Sequence, residues 1–193
     1  MKYLAPLIVA LCLFLTLKPT VFALDLEIGY KRLMPKLGIK EQEYEKDTGE
    51  KNMIKPEVES TAVGQSFTLG IRFESISFHL ENSEYTYDSH ISADNAAVTE
   101  ATEIECKTSE NRFSINYNLE RDLAGIYAGI GVSNSEEVLK SNSNEWVSKA
   151  TSPLIKVGIN LILDSWRLQY EQIYLSLKKH SIRVDSIGIL FYF

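Results

Sequence analysis

The chain has 193 residues, enough for one domain. Its formal charge is −6, and the first 23 residues hold Lys2 and Lys18 but no acid, so residues 24–193 stand at −8. That balance excludes a nucleic-acid binder, which needs a basic face. After Ala23 no run approaches the roughly 18 apolar residues that mark a membrane-spanning helix.

Met1-Lys2 opens positively, Tyr3 to Leu17 is almost entirely apolar, and Val21-Phe22-Ala23 supplies small residues at a cleavage site. This is the three-part pattern of a secretory signal peptide over 1–23, cut after Ala23. The alternative is a retained N-terminal anchor, for which the apolar run is short. Cys12 leaves with the signal and Cys106 remains alone, so no internal disulfide can form. An exported fold without one must be held by other means.

The domain over 24–193 reads as strands. Leu24, Leu26, Ile28 and Tyr30 share one face against Asp25, Glu27 and Gly29, and strict alternation is the mark of a half-buried strand. Arg32 to Gly64 is rich in Lys and Glu, holds Pro35 and Pro56, and reads as a long loop, with a short charged helix conceivable over Lys40 to Lys51. Phe67, Leu69, Ile71 and Phe73 alternate again, Glu74-Ser75 is a tight turn, and Ile76, Phe78 and Leu80 begin the return strand. Thr86 to Glu110 reads as a second, acidic loop.

Phe113, Ile115, Tyr117 and Leu119 then alternate, followed by a turn at Glu120-Arg121-Asp122 and by Ile126, Ala128, Ile130 and Val132. Ser133 to Ser152 reads as a third polar loop. Ile155 to Leu161 and Trp166 to Leu175 form a hairpin around Asp164-Ser165, and Lys178-Lys179-His180 precedes the last strand, Ile182 to Phe193. That strand carries Ile187, Ile189, Phe191 and Phe193 on one wholly apolar face. An open apolar edge invites aggregation, whereas a barrel in lipid has no edge and has hydrocarbon for that face.

Eight strands joined alternately by long and short connections predict an all-β, eight-stranded antiparallel up-and-down transmembrane β-barrel, with both termini on the short-turn rim. A soluble barrel around a ligand cavity would turn the apolar faces inward. The opposite faces hold Glu27, Arg72, His79, Glu81, Lys156, Arg167 and Glu171, a set of both signs that can pair with itself in a narrow lumen. Aromatic residues near strand ends (Tyr30, Phe67, Phe73, Trp166, Phe191, Phe193) suit an interfacial girdle.

The Ile-x-Ile-x-Phe-x-Phe ending, the segment Ala124 to Val132 and the signal peptide together resemble the small outer-membrane β-barrel family, which includes the OmpA transmembrane domain, OmpX and the Opa proteins. The resemblance covers the strands and is specific for architecture rather than function. It implies a bacterial outer-membrane location and contact with outer-membrane lipid and lipopolysaccharide. It also implies that Phe193, with Phe191, signals to the barrel assembly machinery.

The function that follows is surface interaction, adhesion or envelope integrity through three long loops, whose ligand is unknown. A small porin-like channel is the alternative, although eight strands leave a lumen that side chains fill. A lipid A-modifying enzyme is a further alternative. The deacylases carry His-x-Ser on the penultimate strand, and here Tyr174-Leu175-Ser176 puts tyrosine at the histidine position. Its pKa near 10 makes it a poor base at neutral pH. His90-Ile91-Ser92 has the spacing but lies in a polar stretch, and His180-Ser181 has the wrong spacing. No catalytic residue, cofactor site or metal site is assigned. The acidic second loop lacks the ligand intervals of a calcium site, and Lys107 alone does little to activate Cys106.

Overall fold

A computed structural model describes residues 24–36, 42–46, 48–49, 51–54, 56–58, 62–91, 102–141, 144–176 and 181–193. The expected signal peptide and the Lys178-Lys179-His180 connection lie outside the described residues. Among the described residues eleven strands form one sheet: β1 (Leu24–Lys36), β2 (Gln42–Lys46), β3 (Lys51–Ile54), β4 (Glu57–Val58), β5 (Val63–Phe73), β6 (Ile76–Ile91), β7 (Thr102–Arg121), β8 (Ala124–Lys140), β9 (Glu145–Leu163), β10 (Trp166–Ser176) and β11 (Ser181–Tyr192). Among the described residues there is no helix.

Eight of these strands are the wall of a closed barrel, in the order β1-β5-β6-β7-β8-β9-β10-β11, every neighbour antiparallel. The last strand returns to the first, with Phe191 opposite Ile28 and Gly188 opposite Lys31. Phe193 and Leu26 complete the seam by exchanging both backbone hydrogen bonds, at 3.0 and 3.2 Å. No strand of this wall is left with an open edge over its lower half, which removes the aggregation hazard of an apolar terminal strand.

The register fixes the shape. Directly opposed residues run Thr151, Asn134, Asn111, Asn82, Phe67, Tyr30, Ile189, Leu168 and Leu161. One circuit thus returns to β9 ten residues from where it began. A stagger of that size over eight strands makes the strands lean by about 40° from the barrel axis. The three short connections, Glu74-Ser75, Asp122-Leu123 and Asp164-Ser165, lie on one rim, and each puts its acidic first residue at positive φ (52°, 50° and 52°). Asp tolerates that region better than most residues with a side chain, and Glu pays more for it.

The other rim departs from the reading of the sequence. The three supposed loops are mostly strand. β1 continues to Lys36, and Arg32–Gly64 also contains β2, β3 and β4, so the conceivable helix at Lys40 to Lys51 is instead a hairpin in its described part. Thr86–Glu110 contains the end of β6 and the start of β7, paired from Thr86–Lys107 to Ile91–Thr102. Ser133–Ser152 contains the end of β8 and the start of β9, paired to Lys140–Glu145. β2 adds to β9 and β4 adds to β6. On β6 to β9, with β2 and β4 added, the wall therefore rises well beyond its apolar belt as a turret.

β7 shows why both halves are strand. In its lower half Phe113, Ile115, Tyr117 and Leu119 face outward and Arg112, Ser114, Asn116 and Asn118 are buried inside. In its upper half Glu103, Glu105 and Lys107 face outward and Ile104 and Cys106 are buried. The alternation never breaks, but its polarity reverses. The lower wall is apolar outside and polar inside. The turret is polar outside and holds a core of Leu33, Tyr44, Ile54, Tyr87, Ile91, Ile104, Cys106, Leu139 and Trp146. Rising about 2.5 Å per residue along leaning strands, the outward apolar positions make a belt about 20 Å high, close to the apolar band of a bilayer-spanning barrel.

Candidate functional site

The lower lumen is filled by an ionic network that begins at the short-turn rim. Arg72 makes a two-pronged contact with Glu120, donating from its two terminal nitrogens at 2.7 and 2.9 Å, and its Nε donates to the Glu74 carbonyl at 2.6 Å. Arg167 lies 3.2 Å from the same Glu120 through Nε and donates to Glu27 Oε1 at 2.8 Å. Its guanidinium also sits over the Tyr192 ring, 4.3 Å from the centroid, a distance at which the ring quadrupole attracts a cation. Glu27 Oε2 is 2.7 Å from His79 Nε2.

The middle layer is a square of charges. Lys31 donates to Glu81 at 3.0 Å and to Glu171 at 2.9 Å. Lys156 donates to Glu81 at 2.8 Å and lies 3.5 Å from Glu171. Tyr127 donates its hydroxyl to the second Glu171 oxygen at 2.7 Å. Above it Arg112 approaches Glu81 at 4.0 Å and donates through Nε to Glu110 at 2.6 Å, while Tyr85 donates to Glu110 at 2.9 Å.

All seven inward candidates from the sequence, Glu27, Arg72, His79, Glu81, Lys156, Arg167 and Glu171, stand in this network. Four charged members were missed: Lys31, Glu110, Arg112 and Glu120. Lys31 simply continues the Asp25, Glu27, Gly29 face one step past the assumed end of the strand. Glu120 continues Asn116 and Asn118 into what reads as a turn, and Glu110 and Arg112 straddle the assumed loop boundary. The network holds five carboxylates (Glu27, Glu81, Glu110, Glu120, Glu171) and five cations (Lys31, Arg72, Arg112, Lys156, Arg167) besides His79. Buried charges persist when matched in this way.

The turret core lies over the network. Tyr44 on β2 and Tyr87 on β6 both donate their hydroxyls to the Glu137 carboxylate, at 2.6 Å for Tyr44. Cys106 is fully buried beside them, and burial pushes its thiol up to about 12, with the Glu137 charge adding to the effect. Cys106, expected in a loop, is instead a core side chain, and a buried thiol with a raised pKa is a poor nucleophile.

Of the residues weighed for hydrolysis, Tyr174 and His90 are the ones whose side chains are described, and they lie on separate strands of the wall, β10 and β6. Tyr174 faces outward and donates to Gln172 at 2.9 Å. His90 pairs with Glu57 at 2.9 Å on the turret exterior, and Ser92 and His180 lie outside the described residues. Phe191 and Phe193 point outward at the short-turn rim, with 47 % and 74 % of their surface exposed.

Solved structures with this architecture are similar over most of their length. The Neisserial surface protein A matches with a TM-score of 0.53 at 12% identity, over 88% of this chain and 97% of its own. The N-terminal β-barrel domain of Pseudomonas aeruginosa OprF matches with a TM-score of 0.54 at 9% identity, over 86% and 97%. The chain has the fold of the small eight-stranded outer-membrane β-barrels. The attachment invasion locus protein Ail of Yersinia pestis, solved with the heparin analogue sucrose octasulfate, matches with a TM-score of 0.55 at 12% identity, over 89% and 99%. Identities this low speak for the fold alone. No protein-family model matches the sequence, and no curated protein matches it.

Proposed function

We propose that the chain is an integral protein of the bacterial outer membrane, exported by a signal peptide cut after Ala23, whose turret acts at the cell surface. The reversal of wall polarity at one level carries this reading. Below the reversal the exterior suits hydrocarbon and the interior suits paired charge. Above it the exterior suits water and the interior is a soluble-type core. A protein built this way belongs at a boundary between lipid and water, with its turret offered to whatever lies outside. Surface attachment or support of the envelope is the role, and the Yersinia pestis attachment invasion locus protein has the same fold.

Outer-membrane lipid and lipopolysaccharide surround the belt, and Phe191 and Phe193 present the chain's end to the barrel assembly machinery. The role is not enzymatic. The narrow channel is the second reading, and the matched network with an apolar core above it argues against a water path. Fractionation with gel migration tests the location: the protein should sediment with outer membranes and shift mobility on boiling. Recovery as a freely soluble protein overturns it. In planar bilayers the purified barrel should give no discrete conductance steps, and reproducible steps would favour the channel.

A further inference from the structure

One stretch of chain closes the side of the turret. Above Thr86, β6 no longer has β5 beside it, and above Leu154, β9 no longer has β10. What remains is the four-stranded sheet β6-β7-β8-β9, whose inner pairs run without a break up to Glu105–Lys140 and Lys140–Glu145. Residues 42–58 lead from one edge of that sheet to the other, since β2 adds to β9 and β4 adds to β6. The stretch completes the apolar core: Tyr44 and Ile54 are fully buried in one cluster with Tyr87, Cys106, Leu139 and Trp146.

Its links to the sheet are slight. Among the described residues β2 pairs with β9 at Glu45–Val147 and Lys46–Trp146, β4 pairs with β6 at Glu57–His90 and Val58–Ser89, and β3 pairs with β2 alone. Ser148 and Ser89 donate their hydroxyls to the Glu43 and Glu57 carbonyls, at 2.8 and 2.6 Å. The Glu57–His90 pair lies on the exterior, where such pairs add little, and a two-stranded hairpin has marginal stability of its own. The bond that reaches inside runs from the Tyr44 hydroxyl to Glu137, at 2.6 Å. Closure also leaves Trp146 Nε1 and Thr108 Oγ1 buried without a hydrogen bond among the described residues, a cost that water relieves on opening.

We propose that residues 42–58 form a strap that lifts as a unit from the edges of β6 and β9 while the four-stranded sheet and the belt stay folded, with Tyr44 and Glu137 as its latch. The pairing of β2 with β3, from Gln42–Ile54 to Glu45–Lys51, makes the two strands move together. Elements with few links to their surroundings open first and at the least cost. Closed, the strap gives the turret a sealed core and covers the upper edges of β6 and β9. Lifted, it bares those edges and an apolar floor that includes Tyr87 and Trp146, a surface that invites association. That the exposure happens at the cell surface rests on the outer-membrane reading; the opening itself does not.

The test is amide hydrogen exchange of the full barrel in phospholipid vesicles, read by mass spectrometry. In the wild type, peptides covering 42–58 should exchange together and faster than those covering 102–110 and 134–140, after correction for sequence. Tyr44→Phe should speed the strap by about fivefold to tenfold, the change that one hydrogen bond supplies, and leave the other two stretches unchanged. Tyr85→Phe removes a bond of the same kind, to Glu110, that the strap does not share, and should leave the strap's exchange as it was. A wild-type strap that exchanges as slowly as 102–110 and 134–140 overturns the proposal without any variant. So does equal acceleration of all three stretches by Tyr44→Phe, which would mean that the turret melts as a whole, and so does acceleration of the strap by Tyr85→Phe to the same degree. Failure of the outer-membrane reading looks different: the wild type would then neither enter vesicles nor shift on boiling.

Discussion

Lys31 Nζ lies 2.9 Å from Glu171 Oε1, although 140 residues separate them along the chain. β11 stands between their strands, so this contact ties the closing seam of the wall from within. Glu171 also receives Tyr127 and faces Lys156. Replacing Glu171→Gln should lower stability by about 3 kcal/mol, since removing one partner leaves a buried charge short of its counter-ion. The double variant with Lys31→Met should cost less than the sum of the two single ones, because the groups share a contact. Urea titration of the barrel folded into lipid vesicles measures both.

Gly158 packs against the Tyr127 ring, where an added Cβ would come within 2.4 to 2.6 Å of its atoms. The ring cannot move aside without loosening the hydroxyl from Glu171, 2.7 Å away. Gly158→Ala should therefore destabilise the barrel by about 1–3 kcal/mol. Tyr127→Phe added to it should recover part of that loss, because the freed ring can shift. The same urea titration decides.

These side chains also show how much was legible beforehand. The period-two faces of the lower wall are dense in Ile, Leu and Phe, so their strands and the inward set from Glu27 to Glu171 stood out. The turret strands keep the same period with the faces exchanged, and their apolar positions are thinly spread. Ile104 and Cys106 among Glu103, Glu105 and Lys107 look like an acidic loop until β6 is seen to pair with them. Pairing across 15 or more residues is a tertiary fact, and a single strand read alone does not contain it. Lys31 and Glu120 were lost for a smaller reason, since each lies one step past a boundary set by the nearest charged turn.

Cys106 should resist alkylation in the folded protein and react at once after boiling. It is fully buried, and its thiol is pushed up from 9.0 to about 12. The sign follows from that direction. The folded turret favours the neutral thiol, so this contribution is complete below about pH 9 and is lost as pH climbs toward about 12. Maleimide labelling followed across that range should show the thiol opening only in the alkaline part. Rapid labelling at pH 7 would mean the turret core is not closed.

The reversal of polarity along the wall is tested most directly by spin labels placed on either side of it. With Cys106→Ser as background, one label is attached at Ile130→Cys and another at Glu105→Cys, both outward on the barrel. Ile130 is 67% exposed within the apolar belt. In bilayers its label should collide with dissolved oxygen and be shielded from a water-soluble nickel complex. The Glu105 label should show the opposite. Equal access of nickel to both labels would place the belt in water and contradict the account.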